Sequence, residues 1–498
     1  MIHNPVIPGF NPDPSVCFDG SRYFIAVSTF DYAPSITLYV SKDLSNFEFH
    51  SSVLYKDQDL MLENCEKGLG FYAPTIRYHN GTYYVVCTNK NGFGNFVTHT
   101  NNIDNPDSWC KPLFIHRWGI DPSLFFCQDG TCIYTSNYNR DGVQSIVGAP
   151  IDPDTGKLLA PFTVLSHGIT GCATEAPHIY EKDGYYYLFM AEGGTERGHH
   201  EIVARSKNIL GFYEEMSPFF FISHRDRKGH EIQATGHCDI TIGPDGNYYA
   251  FSLAVRMPGR VFQHNLGRET FMAPVTWTKD GWPICGQEGF IELKQCSNIE
   301  SNPYIQKPFC FNKPLNRQNI FTLRYALDDE HYCLKDNNLT LKARDAISVE
   351  NGHPTLLLLR QTDFNMKFSA TIDTSKLKEG DAGGLTVFYN KNYSAMLEVS
   401  KNTNSLKVQL KRNVHDLSVI QTEITLNSTN TIELSVISDR EFYKFFVNNN
   451  QIGTAPIANF CTEAIMFRNF TGTLFGLYCD SGNLTFTDNN LLKIDNIE

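Results

Sequence analysis

No run of eighteen apolar residues, the minimum for a membrane-spanning helix, occurs anywhere in the chain. Membrane insertion through such a helix is thereby excluded. No block of lysine and arginine stands out either. Across 498 residues, 42 basic side chains face 54 acidic ones, a formal charge of −12. That balance argues against gripping a phosphate backbone, and so against nucleic-acid binding. CxxC pairs and Cys/His clusters of zinc spacing are missing, although there are 14 cysteines. Several cysteines sit in apolar, strand-like runs, Cys87 in YYVVCT and Cys132 in TCIYTS. They read as buried free thiols of a reducing, cytoplasmic protein. The opening MIHNPVIPGFNPDPS has no charged n-region and no apolar h-region, so a secretory leader is not expected. The sequons at Asn80, Asn338, Asn392, Asn427, Asn469 and Asn483 then read as chance matches. Helical periodicity is scarce. What is abundant is strand chemistry: 24 Tyr, 36 Phe and 36 Gly, with 41% apolar residues, enough to fill sizeable cores.

Five segments repeat one pattern, a turn with glycine followed by a Tyr/Phe-rich strand: Gly20-SRYFIAVS, Gly81-TYYVVCT, Gly130-TCIYTS, Gly184-YYYLFMA and Gly246-NYYAFSL. Each follows another short apolar strand, so each unit is a β-hairpin. The glycines are 61, 49, 54 and 62 residues apart, a period that suits propeller blades. The expected fold is all-β, a five-bladed β-propeller followed by a jelly-roll-like β-sandwich. The propeller is expected over 1–300, a proline-containing linker over 301–318 and the sandwich over 319–498. Alternating segments such as TLLLLRQ, MKFSATID and GGLTVFYN build the last part.

A second pattern runs in phase with the first. Nine positions before the turn glycine stand Tyr72, Asp121, Glu175 and His237, and seven before Gly20 stands Asp13. In a propeller the innermost strands line one axis, so these positions are expected to converge on one pocket. Random surface carboxylates would not track a repeat; the plainer reading is that Asp-Pro-Ser is a turn signal. Two carboxylates across a sugar bond are the minimum for glycoside hydrolysis, one protonated and one ionised, and a third acid can raise the donor's pKa. Asp13, Asp121 and Glu175 meet that demand in type. Glu175 has the reach of a donor, and Asp13 precedes a rigid Pro14. Phe30, Tyr72 and Trp118 supply the apolar floor a sugar ring needs.

The motifs NPVIPGFNPDPS, STFDYAP, Ala73-Pro74, GIDPSLFF, TEAPHIY, AEGGTERGHH, ATGHCD and LGRETFMAPV, in this order, resemble glycoside hydrolase family 43. The tail, with LLLRQTDF, AGGLTVFY and FTGTLFG, looks like the sandwich appended to that family's β-xylosidases. The resemblance implies an inverting mechanism with Asp13 as general base, Glu175 as general acid and Asp121 tuning and orienting the acid. It implies that Arg268 holds sugar hydroxyls, that Phe30, Tyr72, Ala73 and Trp118 line the sugar site, and that Phe470 closes it from the sandwich. His237 is expected near the axis, touching sugar or, through water, a divalent cation such as Ca²⁺; no metal is required. His199 or His200 is placed at the rim. Plainer readings stand beside these: a structural His237, Arg268 paired with Glu269, Phe30 as core, Phe470 in an ordinary turn.

Two residues depart from the family pattern. Tyr72 stands where tryptophan is usual. Cys238 stands where a small residue is usual, beside His237, where a thiol could be oxidised or bind a soft metal. The expected activity is release of xylose from non-reducing ends of β-1,4-xylo-oligosaccharides, with or without α-L-arabinofuranosidase activity on arabinosides. The alternatives are a mainly α-L-arabinofuranosidase enzyme, a catalytically inactive carbohydrate-binding protein, and a retaining fructosidase. The inactive reading would be marked by loss of Asp13 or Glu175, and both are present. A homo-oligomer is expected from the resemblance.

Overall fold

The five repeat glycines, Gly20, Gly81, Gly130, Gly184 and Gly246, have φ between +78° and +96°, and a Cβ at any of them would meet nothing. Glycine is needed there for the left-handed backbone of the turn, not for space. Behind each turn lies the innermost strand of a sheet: β1 (Ser15–Phe18), β2 (Phe71–His79), β3 (Ser123–Phe126), β4 (Glu175–Lys182) and β5 (Ile232–Ile242). The computed structural model describes residues 1–259, 263–465 and 468–494. In it, each of these strands opens an antiparallel meander of four strands, or of five in the third and fourth sheets.

The innermost strands touch in cyclic order, β1 to β2, β2 to β3, β3 to β4, β4 to β5 and β5 back to β1. Each gap between neighbouring sheets holds its own apolar core. Phe24, Ile76 and Phe96 fill the first gap, Val86, Leu124 and Tyr134 the second, and Ile133, Ile179 and Met190 the third. Phe189, Phe221 and Phe271 fill the fourth, and Val16, Ile25 and Phe251 the fifth. Sheets packed on both faces explain why strands such as Tyr23–Val27 are buried at every position. The ring is pinned where it ends: Ile2–His3 pairs with Lys294–Gln295.

Below the pocket, all five innermost strands meet in one buried polar knot. Asp239 of β5 accepts hydrogen bonds from Arg77 of β2 at 2.7 Å, from the Ser15 hydroxyl of β1 at 2.6 Å, and from Tyr180 of β4. Arg77 also donates to the Leu124 carbonyl of β3 at 3.1 Å and contacts His178 Nδ1 of β4 at 2.9 Å. Burial alone would raise the Asp239 carboxyl. Arg77 and His178 outweigh it and hold it well below the usual carboxylate range. Removing one partner of such a pair strands a buried charge. Arg77→Leu is therefore expected to destabilise the protein by about 3–5 kcal/mol in urea unfolding, whereas a loss under about 1 kcal/mol would show that the knot carries little.

The sandwich packs a seven-stranded sheet on a six-stranded one. Met366–Asp373 shows its logic, with buried and half-buried residues alternating along the strand. The run 301–318 contributes Phe309, Phe311 and Leu315 to the sandwich core. The two domains interlock. Thr322–Leu323 pairs with Tyr32–Ala33. Arg360, 1% exposed, reaches from the sandwich to the Phe10 carbonyl at 2.6 Å and to the Thr37 hydroxyl at 3.0 Å. Among the described residues no helix is long and apolar enough to cross a membrane.

Candidate active site

Each innermost strand carries a non-glycine residue in the left-handed region at the pocket end: Asp13 (φ +55°), Ala73 (+39°), Asp121 (+55°), Ala176 (+56°) and His237 (+52°), with a second in β5 at Ala234 (+52°). Proline follows the first four, and Cys238 follows His237. Such backbone costs about 1–3 kcal/mol per residue and gathers where function needs a fixed geometry. This corrects the phase read from the turn glycines, for Tyr72 and Glu175 stand one residue before the position that Asp121 and His237 occupy. The cause is loop length. Asn80-Gly81 and Asp183-Gly184 are two-residue turns, whereas five residues separate Phe126 from Cys132 and Ile242 from Tyr248.

Polar side chains from neighbouring sheets clasp these kinks. The Ala73 N–H donates to the Ser28 hydroxyl at 2.7 Å, the Ala176 N–H to Asp121 Oδ2 at 3.1 Å, and the Cys238 N–H to Glu201 at 3.2 Å. The kinks thus meet at one cavity of about 80 Å³. It is lined by Asp13, Phe30, Tyr72, Ala73, Asp121, Glu175, His237, Arg268 and Phe470, together with Ile120 and Thr195.

Asp13 is gripped on both oxygens, by Arg268 Nη1 at 2.8 Å and by the Ser28 hydroxyl at 2.5 Å. Burial would raise its pKa. The charges of Arg268 and His237 and the Ser28 hydrogen bond overcome that and hold it ionised below the ordinary carboxylate range. His237 Nδ1 lies 3.7 Å from Asp13, and burial lowers the imidazole's pKa despite that neighbour. Glu175 and Asp121 are shifted the other way. Burial, then the charge of Asp13, pushes Glu175 up to about 7. Burial, then Glu175 and Asp13, pushes Asp121 up as well. The two raised carboxyls act on each other, so their protonation is linked. The Ala176 N–H favours the ionised form at Asp121, and no described residue hydrogen-bonds the half-buried Glu175 carboxyl. That contact stabilises charge on Asp121, and no comparable one stabilises charge on Glu175.

Arg268 pairs with Asp13; Glu269 pairs instead with Arg256 at 2.7 Å. Arg268 Nη2 also donates to the Phe470 carbonyl at 3.3 Å. The Phe470 ring stacks on Phe30 at 5.6 Å, and Tyr72 lies 4.9 Å from Phe30, so three aromatic rings form one wall. Phe470 reaches the site because the sandwich and propeller segments touch backbone to backbone beside it: a Cβ on Gly472 would sit 2.4 Å from the Leu266 carbonyl oxygen.

Trp118 is not part of the cavity. It is 65% exposed on the loop before Ile120 and Asp121, turned to solvent. His199 lies buried behind Gly236, its ring within 3.0 Å of where a Cβ would stand there, and does not line the site. His200 lines a neighbouring hollow with Arg197 and Arg225. Cys238 is fully buried among Phe221 and Phe271, facing away from the sugar cavity. Ser28, Ile120 and Thr195 were not anticipated; Ser28 was legible only as the first residue of the STF motif. Among the described residues no three His, Cys, Asp or Glu side chains converge as a metal site. Asp13, beside His237, is already engaged by Arg268 and Ser28, so a cation there would be held through water.

Comparison with known proteins agrees with this geometry. Residues 2–283 match the glycosyl hydrolases family 43, and residues 310–489 match the β-xylosidase C-terminal concanavalin A-like domain. The chain is 32% identical to a non-reducing end α-L-arabinofuranosidase of Bacteroides ovatus, over 97% of this chain and 92% of that one. It is also 32% identical to a β-xylosidase of Bacillus subtilis, over 79% and 78% of the two chains. The crystal structure of a xylan β-1,4-xylosidase from Bacillus halodurans superposes with a TM-score of 0.90 at 26% identity, covering 99% of this chain and 100% of that one. With Asp13, Asp121 and Glu175 gathered in one propeller pocket that Phe470 of the sandwich also lines, the chain belongs to glycoside hydrolase family 43.

Proposed function

We propose that the protein is an inverting exo-β-1,4-xylosidase that releases xylose from the non-reducing ends of short xylo-oligosaccharides and also cleaves α-L-arabinofuranosides. The observation that carries this reading is one pocket that holds Asp13, gripped by Arg268 and Ser28, together with Glu175, whose pKa is pushed up to about 7, and that Phe470 of the sandwich lines. Glu175 gives its proton to the glycosidic oxygen as the bond to C1 breaks. Asp13 takes a proton from the water that attacks C1, and solvent exchange then resets both groups. Asp121, tied to the Ala176 N–H, orients the Glu175 segment and keeps its proton in place. Arg268 holds Asp13 and, with His237, presents donors to the ring hydroxyls. The aromatic wall of Phe30, Tyr72 and Phe470 blocks extension past the non-reducing end, which favours exo-action.

The arabinofuranosidase reading has its own support in the Bacteroides ovatus relative. Parallel assays on xylobiose and an aryl α-L-arabinofuranoside separate the two. Higher kcat/KM on xylobiose is expected; turnover of the arabinofuranoside alone would transfer the assignment. No step above passes through a metal. Dialysis against EDTA is expected to leave most of the activity, with Ca²⁺ near His237 acting only as a modulator, and a complete loss that Ca²⁺ restores would contradict this. The same reading includes a reducing, cytoplasmic setting, in keeping with 14 unpaired cysteines. A diamide challenge that leaves activity intact only when reductant is present would fit it; indifference to oxidation would not. It also includes a homo-oligomer, for which Leu417, Val419 and Ile420, exposed on a sandwich edge strand, offer a surface. A monomer mass by light scattering would remove that element.

A further inference from the structure

A proton donor has to present its proton at a fixed point, yet no described residue hydrogen-bonds the Glu175 carboxyl. Its placement is therefore set through its backbone neighbours. On one side Ala176 is tied to Asp121. On the other stands the fully buried Thr174, whose N–H donates to Gln144 Oε1 at 2.8 Å and whose carbonyl accepts from Asn137 Nδ2. The Thr174 hydroxyl donates at 2.9 Å to Glu192 Oε1.

Glu192 is a further buried carboxylate, outside the catalytic pocket. It ends the strand Tyr185–Glu192 and follows Ala191, the cross-strand partner of Glu175. Its carboxylate gathers the loop 168–174, which leads into Glu175. Oε1 accepts from the Ile169 N–H at 2.9 Å. Oε2 accepts from the Thr170 N–H at 3.1 Å and from the Thr170 hydroxyl at 3.0 Å. The loop packs so closely that a Cβ on Gly168 would lie 2.0 Å from Oε1 and 2.6 Å from the Thr174 hydroxyl oxygen. Such a loop needs a centre: Gly168 (φ +70°), Gly171 (+62°) and Ala173 (+50°) are all left-handed, and the alanine is strained there. The next residue along adds to the grip, the Gly193 N–H donating to the Cys172 carbonyl at 2.9 Å.

The same carboxylate reaches the opposite loop. His200 Nε2 lies 3.6 Å from Glu192 Oε2, and His200 Nδ1 lies 2.8 Å from the Gly198 carbonyl. The loop 193–198 carries Thr195, which lines the catalytic cavity. Burial would raise the Glu192 carboxyl. His200 and the hydroxyl and N–H donors of Thr174 and Thr170 outweigh it and hold the group below the ordinary carboxylate range. Hydrogen bonds to an ionised acceptor are roughly twice as strong as neutral ones, so this arrangement is a stiff anchor.

Resting on the reading of Glu175 as general acid, we propose that Glu192 is the positioning residue of the proton donor, fixing the loop 168–174 so that Glu175 meets the glycosidic oxygen. A group that acts by aiming the donor shows itself through the leaving group. Glu192→Ala is expected to lower kcat on xylobiose by about 10–100-fold, but on an activated aryl xyloside, whose phenolate leaves unprotonated, by about threefold or less. Glu192→Gln keeps the shape and one acceptor oxygen, and is expected to recover xylobiose turnover to within about fivefold of wild type. Thr174→Val removes only the hydroxyl bond to Glu192 and keeps the test decisive if Glu192→Ala fails to fold. Its loss, about fivefold, is expected on xylobiose and not on the aryl xyloside. Equal losses on both substrates, as a merely structural role would give, or unchanged turnover of xylobiose, overturn the proposal when Glu175→Ala, assayed in parallel, keeps its leaving-group bias. Equal losses in Glu175→Ala itself would overturn the acid assignment, and the role of Glu192 with it.

Discussion

Asp13→Asn is expected to lower kcat by about 10³–10⁴-fold on every substrate, whatever its leaving group. Asparagine keeps the shape and can still accept from Ser28, so the pocket and KM should change little. What disappears is the negative charge that Arg268 and Ser28 hold in place at 2.8 Å and 2.5 Å. Without it no group takes the proton from the attacking water, and water attack is common to good and poor leaving groups alike. Arg268, 7% exposed, then loses its carboxylate, so a stability loss of roughly 1–3 kcal/mol accompanies the change. A thermal melt beside the kinetics separates that loss from the chemistry. Near-normal turnover by a folded Asp13→Asn protein would assign the base elsewhere.

Glu175→Ala is expected to behave differently. On xylobiose, whose leaving alcohol needs a proton, activity should fall by about 10²–10⁴-fold. On an activated aryl xyloside, whose phenolate leaves unaided, the loss should be much smaller. Equal losses on both would undo the acid assignment. The pH profile carries the same information. Glu175 must hold its proton, and its pKa is pushed up to about 7; wild-type activity should therefore persist below that pH and fall as pH rises through it. Asp13 must be ionised, and its pKa is held below the ordinary carboxylate value, so the acid limb lies below the usual carboxylate range. In Glu175→Ala the alkaline limb near 7 should vanish on the aryl substrate, while the acid limb stays.

Much of this site was legible because its chemistry is tied to the repeat. Asp13-Pro14 and Asp121-Pro122 announce rigid strand entries, and the turn glycines mark where each innermost strand ends. The phase was off by one at Glu175 and Tyr72 because glycine counting is blind to the difference between a two-residue and a five-residue turn. Trp118 was read as sugar floor from its closeness to Asp121 in sequence. The left-handed turn at Gly119 (φ +70°), whose Cβ position lies 1.6 Å from the Asn137 carbonyl oxygen, separates the indole from the cavity. Ser28 and Thr195 carry no signal of their own in a sequence, since a hydroxyl becomes functional only through what folds against it. The knot of Arg77, Asp239 and His178 joins residues from three sheets, a convergence that spacing along the chain does not reveal.

In the sandwich, the strand Leu417–Asn427 carries a weak signal in the sequence. It lies at a sheet edge with its first five residues exposed, so the alternation that burying one face imposes is confined to its second half, where Ile424 and Leu426 pack on the core. Phe470, by contrast, could be suspected from its FTG turn, and the backbone contact of Gly472 with Leu266 explains why that turn reaches the propeller.

The most direct test is proton NMR of xylobiose hydrolysis, recorded before the product mutarotates. If Asp13 activates water on the face opposite Glu175, the first xylose released from the non-reducing end is the α-anomer. If β-xylose appears first, the bond is cleaved with retention, and Asp13 acts as a nucleophile rather than as the base.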